Sequence, residues 1–427
     1  MIKIGVCGFG TVGQSFVNHL LAYKDKIIKN CGRDICISII ADRSIERKKF
    51  KTESIEFTSD ILSVLDSDCD LIVELIGGTD LAYDLVRGAI SKKKSVITAN
   101  KALIAEKGDD LFELSNKQNS YIGYEASVAG AIPVISSLTH NMLNENIISI
   151  SGIINGTSNY ILDQMSSEKK SFKEALNNAQ ELGYAEADPS FDIGGFDAAH
   201  KISILANIAF DIKSPYKNMH IEGIDSIESM DIDYANELGY KIKHIATARS
   251  NDSQIECKVH PALVNKKNIL SKIDGVMNAV KIIGDKFGTS MLYGHGAGGA
   301  ATASAVVSNI IDYCIHLDRK VKSISNYIGS GSRELVDIQN ISNQYYLRMF
   351  SNDVPGVMAD ITATLAKHQI SIEAVTQHEP FENEKLIPVV MITNSVRYKD
   401  ILSAINKIET MDNIIGDVNL IRVFNDD

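Results

Sequence analysis

The chain has 427 residues, enough for two or three domains that each bury a core. Its 54 acidic against 43 basic side chains give a formal charge of −11 with the lysines scattered, which argues against nucleic-acid or anionic-membrane partners. No apolar stretch reaches the roughly 18 residues of a membrane span, the first apolar run begins too early to leave room for a signal peptide, and six cysteines without CxxC spacing fit reduced structural thiols rather than zinc or a disulfide framework, so a cytoplasmic multidomain enzyme is expected.

The opening KIGVCGFGTVGQSFVNHL places an apolar strand, then Gly8, Gly10 and Gly13 in GxGxxG spacing, then an amphipathic helix. Gly8 allows the tight turn, Gly10 lets the backbone approach a pyrophosphate, and Gly13 lets the helix pack on the strand. The helix amides then face the phosphates. The next apolar run, ICISIIADR, ends in Asp42 and Arg43. Asp42 suits the ribose hydroxyls of NAD and Arg43 the 2'-phosphate of NADP, so both cofactors stay open with a lean to NADP. The wide spacing from Gly13 implies an extra turn around Lys29 to Asp34.

DLIVELIGG (Asp70 to Gly78) and KSVITANK (Lys94 to Lys101) read as further buried strands around a helix at about Asp80 to Lys92. Alternating strands and helices predict an α/β, Rossmann-like, doubly wound parallel sheet over residues 1–130. Glu74, Gly77, Gly78 and Lys101 fall at strand ends, on the edge where such sheets bind ligands.

Residues 131–322 are expected to form an α+β substrate, catalytic and dimerisation domain. YEASVAGAIPVISSL (Tyr124 to Leu138) is a small-residue turn leading into a helix started at Pro133, and ISISGIINGTSNYIL reads as strand, turn and helix, with Thr157 or Ser158 as the expected cap. GYAEADPSFDIGGFDAAHK (Gly183 to Lys201) then packs Glu186, Asp188, Asp192, Asp197 and Lys201 into a Gly- and Pro-punctuated loop that enters a helix. Asp197 and Lys201, four apart, share one helix face, either as an ordinary i,i+4 pair or as part of a site. After strands at Ile242 to Ala248 and Ile255 to His260, a hairpin leads to a turn at Gly294, Gly296, Gly298 and Gly299 before an Ala-rich helix, which suits either an anion cradle or tight packing.

Ser323 to Asn343 reads as a hinge, giving a linker at 323–344. From Tyr345 the pattern strand, helix, strand, strand, helix, strand (βαββαβ) predicts a separate ferredoxin-like unit over 345–427.

Six motifs in order, GFGTVG, ELIGG, TANK, NGTSNYIL, the block from Gly183 to Lys201, and GHGAGGAATAS, make the chain similar to homoserine dehydrogenases from end to end. His295 stands where that family usually has proline. The resemblance implies reversible reduction of L-aspartate 4-semialdehyde to L-homoserine by NAD(P)H, within threonine, methionine and isoleucine biosynthesis. It places the proton-donating lysine at Lys201, the second active-site lysine at Lys101, and homoserine contacts at Glu186 and Asp197 with Asp192 nearby. Its cofactor contacts fall on Phe9, Thr11, Val12, Lys101, Gly183 and the 294–299 turn with Gly296 and Gly298, beside the Gly8, Gly10, Gly13 and Arg43 already read from the residues. It also implies sodium or potassium held by oxygens of Glu125, Val128, Gly130 and Ile132, and a homodimer or homotetramer.

The tail resembles an ACT domain, whose ligand loop would be Asn352, Asp353, Val354, Pro355, Gly356 and Val357, with threonine as the expected effector and pure dimerisation as the alternative. Two rivals remain: an oxidoreductase for another small amino or hydroxy acid, which would need a different acidic nest, and a catalytically silent amino-acid sensor. An acylating semialdehyde dehydrogenase would need an activated cysteine, and none is placed for it.

Overall fold

The computed structural model describes residues 1–45, 54–251, 253–319, 331, 333–377 and 386–426. Its first unit runs β1 (Ile2–Cys7), α1 (Thr11–Ala22), α2 (Lys24–Cys31), β2 (Ile35–Ala41), β3 (Glu56–Thr58), β4 (Leu71–Glu74), α3 (Asp80–Ser91), β5 (Ser95–Thr98), α4 (Lys101–Gln118) and β6 (Ile122–Gly123). The strands pair in parallel in the order β3-β2-β1-β4-β5-β6, the dinucleotide-binding arrangement. Strands β4 and β5 are buried at every position, as expected for strands with helices on both faces. The extra length before Asp42 is a full helix, α2, rather than a turn.

The middle of the chain supplies α5 (Val134–Ser136), β7 (Ile147–Ile153), α6 (Gly156–Ser167), α7 (Phe172–Glu181), α8 (Ser190–Ile193), α9 (Phe196–Phe210), β8 (His220–Ile221), α10 (Ser229–Glu237), β9 (Tyr240–Asn251), β10 (Gln254–Asn265), β11 (Met277–Gly284), β12 (Gly288–His295) and α11 (Gly299–Arg319). One face of its antiparallel strands is covered by α9, whose Ala198, Ile202, Leu205 and Ala206 are buried. Helix α11 departs from the expected division: it returns to the nucleotide unit, where Ala303, Val306, Val307, Ile310 and Cys314 pack with Phe16, Val17 and Leu20 of α1. Residues Gly299–Leu317 are also long and apolar enough for a membrane span by length and composition, against the sequence expectation. The reason is this packing, which needs a continuous apolar stripe on the nucleotide core.

The C-terminal unit consists of β13 (Glu334–Leu335), β14 (Ser342–Asn343), β15 (Tyr345–Asn352), α12 (Val357–Lys367), β16 (Ile372–Gln377), β17 (Leu386–Thr393), β18 (Val396–Arg397), α13 (Tyr398–Ile408) and β19 (Ile414–Phe424). Its four main strands lie in the order β19-β15-β17-β16. The unit is less separate than its sequence implies. Strand β19 pairs in parallel with β10 at Ala262–Arg422, Leu263–Val423 and Val264–Phe424, so the two sheets run on as one. The expected linker is tied down as well: β13 pairs with β10 and β14 with β18, while residues 323–330 and 332 lie outside the described residues.

Candidate active site

Strand ends β4 and β5 of the nucleotide sheet, the turn before α11 and the start of α9 surround a cavity of about 460 Å3. Val12, Gly78, Lys101, Phe191, Lys201 and Gly296 are among its walls. Gly10 caps α1, and a Cβ built there meets nothing within 4 Å, so the helix amides are open to a phosphate. Gly8 has the opposite reason to be glycine: its φ is +97°, and a Cβ would stand 2.4 Å from the Leu75 carbonyl oxygen. This open cradle beside a strand-end cavity fits a nicotinamide dinucleotide.

Lys101 enters the cavity because β5 ends in Thr98 and Asn100 starts a helix. The Asn100 side chain accepts from Leu103 N at 3.1 Å and donates to Gly78 O at 2.6 Å, fixing α4 against the loop after β4. That loop is held in turn by Glu74, which accepts from the amides of Ile76 and Gly77 and from the Thr98 hydroxyl. Glu74 is fully buried, and burial raises its carboxyl above the usual range despite those bonds.

Asp197 lies at the centre. Its Oδ1 is 2.7 Å from Lys101 Nζ, and its Oδ2 accepts from Lys201 Nζ at 2.7 Å and Asn155 Nδ2 at 2.8 Å. Lys201 also donates to Ile154 O at 2.7 Å. Burial opposes ionisation of Asp197, yet the ammonium groups of Lys201 and Lys101 outweigh it and hold the carboxyl well below its usual range. The two lysines diverge. Burial and the charge of Lys101 lower the Lys201 pKa against the pull of Asp197. For Lys101, burial is outweighed by Asp197, with Asp192 and Glu186 adding to it, and the pKa rises. Burial and the neighbouring Asp197 raise Asp192.

The structure thus gathers Lys101, Asp192, Asp197 and Lys201, with Glu186 exposed at the rim. Asp188 instead accepts from Ser190 N at 3.1 Å, just before α8. Gly183 sits in an exposed turn after α7, with φ +73°, and is not among the residues lining the cavity. Phe9 is buried, and its amide donates to Asp42 Oδ2 at 2.7 Å. Asp42 Oδ1 accepts from the amide and hydroxyl of Ser44, while Arg43 is exposed. Thr11 is exposed at the start of α1, Gly13 packs against the Gly8 carbonyl, and Gly298 is exposed with φ +118°.

The sequence suggests Thr157 or Ser158 as the α6 cap, but the capping side chain is Asn155, which accepts from Ser158 N at 2.8 Å. Its amide nitrogen meanwhile bridges Asp192 at 2.7 Å and Asp197 at 2.8 Å. The site also contains Phe191, whose ring centroid lies 5.6 Å from Lys101 Nζ. Neither role has a spacing signature: the Asn155 bridge needs α6, α8 and α9 to converge, and the Phe191 contact needs α8 to meet α4. The turn after Glu125 holds Ala129 and Gly130 at φ +57° and +51°, and the Glu125 carboxylate accepts from the amides of Ile135 and Ser136. Its side chain therefore caps the following helix, leaving backbone carbonyls as the oxygens a cation could meet.

A family model for homoserine dehydrogenase matches residues 133–311, one for the homoserine dehydrogenase NAD-binding domain matches 8–125, and one for the ACT domain matches 345–410. The homoserine dehydrogenase of Pseudomonas aeruginosa is 39% identical over 99% of this chain and 98% of its own, and that of Neisseria gonorrhoeae is 40% identical over the same shares. The crystal structure of a homoserine dehydrogenase from Thiobacillus denitrificans superposes with a TM-score of 0.93 at 37% identity, covering 99% of this chain and 98% of that one. Two lysines on one buried aspartate beside a dinucleotide cradle, together with these full-length matches, place the chain in the homoserine dehydrogenase family, oxidoreductases that interconvert L-aspartate 4-semialdehyde and L-homoserine with a nicotinamide cofactor.

Proposed function

We propose that Lys201 is the proton donor in aldehyde reduction, with Asp197 orienting it and Lys101 binding the substrate carboxylate or sharing the proton path. The observation that carries this reading is the bonding of Lys201 Nζ. Two of its three donors go to Ile154 O and Asp197, leaving one for the cavity it lines. A bound nicotinamide supplies the hydride. The alkoxide formed at the former aldehyde oxygen then needs a proton, and a buried ammonium with a lowered pKa both stabilises that charge and releases the proton. Glu186 and Asp192 suit the substrate α-ammonium group, and Asn155 keeps Asp192 and Asp197 apart and aligned.

Gly8, Gly10, Thr11, Val12, Gly13, Gly296 and Gly298 border the cofactor in this reading. Asp42 already accepts from Phe9 and Ser44, which leaves Arg43 to meet a 2'-phosphate and favours NADP over NAD. The carbonyls of Glu125, Val128, Gly130 and Ile132 would hold sodium or potassium, supported by the left-handed turn at Ala129 and Gly130. Strand β12 sits at the sheet edge with Tyr293 exposed, which supports a homodimer or homotetramer. Six cysteines, none in a disulfide, fit the reducing cytoplasm.

The loop Asn352 to Val357 is a turn in which Asn352 N donates to Asn413 O and Gly356 takes φ +104°. Asp353, Val354, Pro355 and Gly356 are exposed, and threonine binding there, between paired modules, would make the tail a regulator.

The deciding experiment is oxidation of NADPH and NADH by the purified protein with aspartate semialdehyde, with and without threonine. Rapid oxidation of NADPH supports both the activity and the Arg43 reading. A preference for NADH returns the ribose contact to Asp42, and no oxidation with either leaves a silent sensor.

A further inference from the structure

Helix α8 is one turn long, and two successive residues on it serve the site in different ways. Asp192 accepts from Asn155 Nδ2 at 2.7 Å, whereas Phe191 joins Lys101 and Lys201 in the cavity wall. Phe191 is 40% exposed, so hydrophobic burial alone does not account for a large ring on the wall of a polar cleft. The ring is nevertheless held in place. Phe196 stacks beside it with centroids 6.2 Å apart and planes at 28°, and His200 tilts against it at 5.5 Å. His200 is itself buried and rests on Tyr216 at 4.1 Å. Gly194 leaves space for this stack, since a Cβ there would stand 2.9 Å from the Phe196 ring.

The group that gains from a fixed ring is Lys101. Its ammonium pairs with Asp197 Oδ1 at 2.7 Å, but a single contact is a pivot, and with 36% of the side chain exposed Nζ is free to swing around it toward solvent. Phe191 supplies the second constraint: Nζ lies over its ring, 5.6 Å from the centroid, inside the roughly 6 Å over which a ring face attracts a cation. A carboxylate in that place would hold the lysine too, but it would add a negative charge to a nest where Asp192 and Glu186 already act on Lys101, and would repel an anionic substrate group. A ring face attracts the ammonium while carrying no net charge. The positive charge of Lys101 stays available to the cavity.

We propose that Phe191 is a positioning residue for substrate binding. An ammonium has three N–H donors; Asp197 takes one, the Phe191 face draws a second, and the third is left to meet the substrate carboxylate. A lysine ordered in advance does not pay its rotamer entropy when the substrate arrives. The inference rests on the reading of Lys101 as the partner of that carboxylate and adds the group that aims it.

The test is the steady-state kinetics of semialdehyde reduction by the full-length enzyme at saturating NADPH. Phe191→Leu keeps apolar bulk and removes the ring face, so the KM for aspartate semialdehyde should rise about three- to ten-fold, with kcat falling much less. Phe191→Tyr restores the face and should recover most of that loss. Should Phe191→Leu fold poorly, as read by its unfolding midpoint in urea, Phe191→Met makes the same change and should raise KM in the same way. Lys101→Met should raise KM by itself, and adding Phe191→Leu to it should raise KM no further, because the ammonium that the ring aims is gone. A wild-type KM in Phe191→Leu and Phe191→Met beside a raised one in Lys101→Met would overturn the inference and leave the reading of Lys101 standing. An unchanged KM in Lys101→Met would overturn both. Additive effects in the double variant, or Phe191→Tyr as impaired as Phe191→Leu, would mean that the ring does not act through Lys101 and would overturn the inference alone.

Discussion

Asp197 and Asp231 are both buried aspartates that meet basic side chains, and they differ in what surrounds the charge. Asp231, on α10, accepts from Arg348 Nε at 2.6 Å, Arg348 Nη2 at 3.2 Å, the Tyr346 hydroxyl, the Asn419 amide and the Glu228 backbone, so one cation and three neutral donors saturate it. Asp197 instead answers two ammonium groups with one carboxylate, and both lysines line an open cavity. The first arrangement is closed and fastens the ACT strands β15 and β19 to the catalytic body. The second keeps cationic donors in reserve beside a space for substrate. A buried charge network is weak evidence of stability by itself. Whether its donors are all spent separates glue from chemistry.

That contrast breaks most visibly at Lys201. In Lys201→Ala the cavity loses the proton donor proposed above, and kcat for semialdehyde reduction should fall by about 10^2 to 10^4, while NADPH affinity measured by fluorescence titration stays near wild type. Normal turnover would remove Lys201 from the mechanism. Next in size, Asp231→Ala should strip Arg348 of its buried partner and destabilise the fold by about 3–5 kcal/mol, read as a lower unfolding midpoint in urea, with kcat of the folded fraction little changed. Asp197→Asn keeps the shape of the shared partner and removes its charge. It should cost kcat/KM about ten- to a hundred-fold, in the range of a lost charge-assisted bond, and leave Asp231 and the seam untouched.

The legible part of the fold was the part written in local pattern. The GxGxxG turn, the apolar runs of β1, β2, β4 and β5 and the acidic block before α9 each carry their chemistry within a short window. The lysine and aspartate four apart on α9 could be read as a pair, since helical spacing puts them on one face. That Lys101 shares the same carboxylate could not, because it comes from another domain 96 positions away. Asn155 hid for a related reason: its cap is local, but its bridge to Asp192 and Asp197 exists only when α6, α8 and α9 converge. The seam between β10 and β19 was likewise illegible. Either strand alone reads as an ordinary apolar segment, and the short parallel pairing that joins two domains has no signature in either.

The smallest expected effect concerns pH and tests the unequal lysines directly. In the proposed mechanism reduction needs Lys201 protonated, so its rate should fall as pH rises through the lowered Lys201 pKa. Homoserine oxidation requires the neutral amine and should rise over the same range. Part of that lowering comes from the charge of Lys101. In Lys101→Met the repulsion is gone while Asp197 remains, so the Lys201 pKa should move up and the falling limb of reduction should shift to higher pH, whatever the mutation costs in absolute rate. The shift should shrink as salt is added only slightly, because Asp197 and Lys201 are almost wholly buried. A limb that stays in place would mean that the titrating group is not Lys201.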